Sequence, residues 1–423
     1  MSDKANELFD GPGLRIAYLQ RNSPGLLVVS FTGRDPAPPA AAGAGEGFLA
    51  KNDIDAVHVI SKKNHWWQTP DWDEGLRLIR AYAAGRGARE IVTYGSSMGG
   101  YGALVASKAL GAARVVTYAP QFSVDPVVAP WETRWLSDAK AIKFATTPFA
   151  ELVAAQAVYI FSDPFFEADQ RHVLEIARHA PVRHLKVAFS EHDVSRVLSD
   201  CGVLSTVTLE ALRGTLEVNA FTHSFRTARK RTPLVYGGAS RLLHQHRHTA
   251  AALLFGRHGF EMLAADPASR GNAERDRMVL GFIGLLVEHK QATEALSALD
   301  RWTSRTPERQ FAYERLRAQA LNLLGQFPAA LEAVNNAMSG RPSERGTHTV
   351  AAAILGGLGQ PSESLSFFEK YEAYLTRYPA SIVAFSRLMR EQGFASLGKN
   401  LVVNGAEKFP TDKKIMKEMT VLG

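Results

Sequence analysis

Short apolar runs alternate with stretches of helical spacing through the first half of the chain, and the alternation stops near residue 221. Leu26–Phe31, Ala56–Ile60, Ile91–Tyr94, Arg114–Tyr118, Val158–Phe161 and Leu185–Phe189 are brief, apolar and rich in β-branched and aromatic residues, which reads as buried strands. Between them, Asp73–Ala84 and Gly102–Leu110 read as helices. Strand and helix in alternation predict an α/β domain: a mostly parallel sheet with helices on both faces and its site at the carboxyl ends of the strands.

Beyond residue 221 the strand runs vanish and a repeat takes their place. Leu324-Gly-Gln-Phe-Pro-Ala-Ala-Leu331 is echoed 34 residues later by Leu358-Gly-Gln-Pro-Ser-Glu-Ser-Leu365, and Gln392-Gly-Phe-Ala395 follows at the same interval. Lys290–Leu296 is a degenerate earlier copy, and Pro307, Pro342, Pro379 and Pro410 close the units. This period, with small residues at the helix crossing, resembles the tetratricopeptide repeat and implies an all-α solenoid with a concave surface suited to a protein partner. The expected organisation is therefore an α/β domain over 1–220, a helical linker or cap over 221–280 and a repeat domain over 281–423.

With 423 residues, 46% hydrophobic and 22% charged, the chain can hold two ordinary globular cores. No apolar run approaches the ~18 residues a membrane span needs, and the amino terminus is polar. Cys201 is the only cysteine, so no intramolecular disulfide can form. These features point to the cytoplasm. The net charge of +7 includes one basic cluster: Arg226, Arg229, Lys230, Arg231, Arg241 and Arg247, with His244, His246 and His248. No nucleic-acid module accompanies it, so it reads as a solvated linker. On a helix only His244 and His248 of the alternating histidines would share a face, so no metal or other cofactor is expected.

The chemistry is concentrated at Gly95-Ser96-Ser97-Met98-Gly99, between the Ile91–Tyr94 strand and the Gly102–Leu110 helix. A sharp strand-to-helix turn centred on Ser97 would hold its hydroxyl clear of neighbouring side chains, with glycines on either side where the turn is tight. Ser162-Asp163-Pro164-Phe165-Phe166-Glu167-Ala168-Asp169 follows the Val158–Phe161 strand, and Ser190-Glu191-His192-Asp193 follows the Leu185–Phe189 strand. Serine, acid and histidine in this order, each after a strand, resemble the α/β-hydrolase family. The resemblance covers about the first 210 residues. It implies Ser97 as nucleophile, His192 as base and a carboxylate that orients the imidazole. Asp163, immediately after its strand, is the first choice for that carboxylate, with Asp169 as fallback and Glu167 third. His172, His179 and His184 fall on a helix or before the last strand.

The same resemblance places the oxyanion donors at the backbone of Met98 and at the loop after the Leu26–Phe31 strand, on Phe31 or Thr32, unless Gly33 there only allows the turn. Trp66, Trp67 and Gln68, in the loop after Ala56–Ile60, and Trp131, in the insertion 121–156, are candidates to frame a substrate. The expected activity is that of a serine hydrolase (esterase, deacylase or acyltransferase) working on an acyl ester. Tyr118-Ala-Pro-Gln-Phe-Ser-Val-Asp125 with the Trp-rich insert resembles bacterial hydrolase-like proteins associated with surface polysaccharide, which implies a glycan-linked ester. The alternative is a scaffold whose solenoid binds a protein and whose hydrolase-like half does no chemistry.

Overall fold

Residues 6–21, 25–35, 42–266, 273–302 and 306–422 are described by the computed structural model. They fall into two compact units, Met1–Gly238 and Ala239–Gly423, a division that lies within the 221–280 segment.

The first unit is an eight-stranded sheet in the order β1-β2-β4-β3-β5-β6-β7-β8. β1 (Asn6–Asp10) and β2 (Leu14–Leu19) enter antiparallel, and β3 (Leu26–Phe31), β4 (Asp55–Ser61), β5 (Glu90–Ser96), β6 (Arg114–Tyr118), β7 (Ala157–Ser162) and β8 (Val182–Lys186) run parallel. The two-residue period of a strand divides its side chains between two cores. Leu27, Val29 and Phe31 pack on one face with Val115, Val158 and Ile160; Val28 packs on the other with Val116, Tyr159 and Phe161. The helix Trp72–Gly85 covers the first face through Leu76, Ile79 and Ala83, and Leu204–Arg213 covers the second through Val207, Ala211 and Leu212. Burial on both faces explains why the central strands read as unbroken apolar runs. This is the expected mostly parallel α/β sheet with helices on both faces.

Three strands differ from the sequence reading. β8 lies three residues before the expected Leu185–Phe189, because Phe189 (φ 69°) and Glu191 (φ 51°) already turn the chain. β1 and β2 lacked an apolar run: β1, at the sheet edge, is exposed or half-buried throughout.

The second unit is helical throughout its described residues. The helices Gln310–Leu323 and Phe327–Gly340, Arg345–Leu358 and Pro361–Leu375, and Pro379–Glu391 and Ala395–Lys408 form three successive pairs, whose second members begin 34 residues apart at Phe327, Pro361 and Ala395. Gly398, in the last pair, lies where a Cβ would run into the Ser386 carbonyl, the small-residue crossing that such a repeat requires. Asp276 is fully buried and accepts from the Trp302 indole (2.8 Å) and from the Thr306 N–H and hydroxyl (both 2.7 Å), tying the Ala273–Glu288 helix to the segment that enters the first pair. Among the described residues no helix is long and apolar enough to cross a membrane.

Candidate active site

β5 ends at Ser96, Ser97 turns the chain, and the helix Met98–Val105 begins. Ser97 sits at φ 53°, ψ −120°, a conformation that L-residues rarely adopt and that neighbouring structure must hold in place. Its N–H is anchored to the Tyr118 carbonyl at 2.8 Å. Glycine is required on both sides: a Cβ on Gly95 would run into the Gly99 backbone, and one on Gly99 into the Phe31 carbonyl. Ser97 is thereby presented at the carboxyl edge of the sheet.

His192 reaches this serine from the turn after β8. Its Nε2 is 2.9 Å from Ser97 Oγ and its Nδ1 is 2.7 Å from Asp169 Oδ2. An ionised Asp169 can only accept, so Nδ1 carries the proton and Nε2 offers its lone pair to the serine hydroxyl. Gln121, fully buried, lies 3.4 Å from the same hydroxyl through its Oε1.

The carboxylate on His192 is the fallback Asp169. Asp163, the first choice, has other partners: its two oxygens accept the N–H groups of Phe165 (3.0 Å) and Glu191 (2.8 Å). Asp163 therefore braces the residue next to His192, and burial raises its pKa despite these bonds. Asp169 lies in the first turn of the helix Glu167–Ala177, where the free N–H groups favour negative charge. Glu167, in the same turn, pairs with Arg171 at the surface. The sequence cue for the acid, proximity to the end of β7, pointed to the loop when the helix after it supplies the carboxylate.

Behind Asp169 stands a set of buried and half-buried polar groups. Arg134 donates to Asp169 Oδ1 (2.7 Å) and to Glu132 Oε2 (2.5 Å), and His172 Nε2 lies 3.0 Å from the same Glu132 oxygen. His172 Nδ1 accepts the Phe122 N–H, so Nε2 is the protonated nitrogen and donates to Glu132. Burial alone would raise the Glu132 pKa, but the bonds from His172 and Arg134 bring it down to about 2. The chain Ser97–His192–Asp169–Arg134–Glu132–His172 thus joins four segments of the first unit. Glu132 and Arg134 were not distinguished in the sequence because nothing in the spacing of the 121–156 insertion marks them. His184, by contrast, pairs with Ser162 Oγ (2.8 Å), and burial pushes it down to about 4; His179 stacks on Phe122.

Of the expected oxyanion donors, Met98 is the first helical residue, so its N–H has no acceptor within the helix. The Thr32 N–H donates to the Val59 carbonyl (3.1 Å) and is not free; Phe31 is laddered to both Val59 and Gly95. Gly33 is the next residue along, and a Cβ built there would stand 3.8 Å from the Ser96 carbonyl.

The residues expected to frame a substrate fall in different settings. Trp66 and Trp67 are buried, at 0% and 2% exposure, and Trp67 forms part of the wall of a depression of about 540 Å³. Trp67 Nε1 donates to the Met98 carbonyl (2.7 Å), bracing the start of the Met98–Val105 helix, and Trp66 Nε1 donates to Asp138 (3.3 Å). Trp131 packs against His172, with ring centroids 5.7 Å apart. Gln68 accepts the Ala145 N–H and, with Tyr101, Phe144 and Ala145, lines two neighbouring depressions of about 540 and 380 Å³. Neither depression is lined by Ser97 or His192, so their size says little about the chemistry. The aromatic ring beside His192 is Trp135, at 6.0 Å, with the Arg34 and Arg134 guanidinium groups 5.2 and 5.7 Å from its centre. Burial pushes the Cys201 thiol up to about 12, which disfavours its thiolate.

No family model matches the chain, and no curated protein matches it. Solved structures to which it is similar include the capsule O-acetyltransferase of Neisseria meningitidis serogroup A (13% identity, 44% of this chain and 86% of that one, TM-score 0.34). A serine hydrolase without lid from Xanthomonas campestris shows 16% identity over 53% of this chain and 93% of its own, with a TM-score of 0.31. PilW, a type IV pilus biogenesis factor, shows 15% identity over 53% and 98%, with a TM-score of 0.38. Likenesses this distant carry no argument about chemistry, which rests on the residues above.

Proposed function

We propose that the protein is a serine hydrolase or acyltransferase that cleaves an acyl ester through an acyl-enzyme on Ser97. The continuous contact Ser97 Oγ–His192 Nε2 and His192 Nδ1–Asp169 Oδ2, at 2.9 and 2.7 Å on the strand edge, is the observation that supports this reading. Ser97 Oγ attacks the ester carbonyl carbon while His192 Nε2 takes its proton, and Asp169 stabilises the imidazolium. The oxyanion is received by the Met98 N–H at the start of its helix. As the tetrahedral adduct collapses, His192 gives the proton to the departing alkoxide, leaving an acyl ester on Ser97. Water, or a second alcohol in a transferase, then attacks with His192 again as base, and the acyl group leaves as acid or new ester.

Hydrolysis of short-chain aryl esters tests the reading: turnover that Ser97→Ala abolishes supports it, and a folded chain with no turnover across a panel of acyl lengths and acceptors supports the scaffold alternative. The substrate class favoured within this reading is a glycan-linked acyl ester. A preference for O-acylated oligosaccharide over aryl ester in kcat/KM supports it, and equal or lower kcat/KM removes it. The helical repeats are assigned the docking of a protein partner, and a partner still captured after deletion of residues beyond 280 would remove that role.

A further inference from the structure

The second unit carries a side-chain cluster unrelated to the serine site. His244 lies in the last turn of the helix Pro233–Gln245, and Glu288 and His289 lie at the end of the helix Ala273–Glu288. One donor atom from each of the three falls within 4.8 Å of the others. The two imidazole rings stand 5.7 Å apart and nearly perpendicular, at 85°. Two of their nitrogens, His244 Nδ1 and His289 Nε2, are enclosed and have no hydrogen-bond partner. An enclosed polar atom without a partner costs free energy, and an ion held between His244 Nε2 and Glu288 would relieve that cost at His289 Nε2.

The remaining separation is informative. His244 Nε2 and Glu288 Oε2 are 3.4 Å apart, longer than an ordinary N–H···O bond of about 2.7–3.2 Å. A tetrahedron with metal–ligand bonds of about 2.1 Å has edges of about 3.4 Å. Two neutral imidazoles and one carboxylate suit a borderline divalent ion such as Zn²⁺, whose charge one carboxylate partly offsets and whose fourth position is left to water. The His244 and Glu288 side chains are 36% and 60% exposed, so an ion can reach them from solvent. His246 and His248, which make the histidine string conspicuous in sequence, are exposed and are not part of the cluster.

We propose that His244, Glu288 and His289 form a three-ligand site for a divalent transition-metal ion of the zinc class, joining the carboxyl-terminal ends of two helices. The partner of His244 in this site is 44 residues away in sequence, which is why the histidine string gave no sign of it. The site stands or falls independently of Ser97.

Calorimetric titration of the tag-free, chelator-stripped full chain with Zn²⁺ provides the test. One ion per chain is expected, with affinity reduced at least about tenfold in His244→Ala and in His289→Ala, and the thermal midpoint should rise with Zn²⁺ in the wild type and not in these variants. Co²⁺ in place of Zn²⁺ should give the visible absorption of a four-coordinate site. A His246→Ala/His248→Ala double variant should bind as the wild type does, and the far-ultraviolet circular dichroism of every variant should be unchanged. No uptake by the wild type, uptake unaffected by His244→Ala and His289→Ala, or uptake lost only in the His246→Ala/His248→Ala variant would each overturn the assignment.

Discussion

Replacing Asp169 with asparagine should disable the site by a route specific to this protein. In the native arrangement one Asp169 oxygen receives the proton-bearing Nδ1 of His192 and the other receives Arg134, each at 2.7 Å. An asparagine keeps a single acceptor, and Arg134 can only donate. The amide oxygen is therefore drawn to Arg134 and the NH₂ group turns toward His192. Nδ1 must then accept, the proton moves to Nε2, and the nitrogen facing Ser97 loses the lone pair needed for the base. The wrong tautomer costs about 10³–10⁴ in kcat, or about 4–5.5 kcal/mol of transition-state stabilisation. Folding should survive, because Arg134 keeps its bonds to Glu132. Asp163→Asn should behave in the opposite way. It leaves one of two backbone N–H groups without an acceptor, for a stability loss of about 1–3 kcal/mol. It does not touch the imidazole, so kcat should fall less than about tenfold. Ester turnover and urea unfolding of both variants form the assay. Equal loss of kcat in the two, or more than a tenth of wild-type activity in Asp169→Asn, would refute this assignment of the acid.

The charges behind the site predict a pH dependence of stability. The Glu132 carboxyl is brought from 4.5 down to about 2 in the folded chain, so its contribution is complete above the unfolded value and is lost as pH falls from about 4.5 toward 2. Such a shift amounts to about 3 kcal/mol. Glu132→Gln should be less stable than the wild type near pH 7, with the difference closing over that window; parallel urea midpoints for the two proteins down to pH 2 would show that Glu132 contributes nothing through its charge. Trp67→Phe removes the bond to the Met98 carbonyl while retaining most of the packing, and should lower stability by about 1 kcal/mol with a few-fold loss of kcat. An unchanged thermal midpoint and rate would mean that the indole only fills space.

Much of this architecture was legible because its causes are local. β3 and β6 were placed to the residue, since central parallel strands are apolar on both faces and end where the chain turns. The elbow was legible because its backbone geometry demands small residues at fixed positions around Ser97. The 34-residue helical pairs were legible because each pair repeats the same packing problem. What failed was what depends on side chains meeting across long separations. Asp169 and Asp163 both lie beyond the end of β7, and only the start of the following helix decides which carboxylate turns toward His192. Trp66 and Trp67 look like a binding surface in sequence because a loop is expected to be exposed. Their burial follows from the close approach of that loop to the Met98–Val105 helix, where Gly102 leaves room for the Trp67 ring. Arg134 reaches Asp169, and Glu132 reaches Arg134, from an insertion without periodicity, and Trp135 comes to His192 from the same segment.

The claim that Ser97 is an activated nucleophile is tested most directly by reacting the purified full-length chain with a fluorophosphonate probe and locating the adduct by peptide mass spectrometry. The account predicts a single adduct on Ser97, absent in Ser97→Ala and strongly slowed in His192→Ala and Asp169→Asn. A well-folded chain that is not labelled, or that is labelled equally in the wild type and Ser97→Ala, would contradict it.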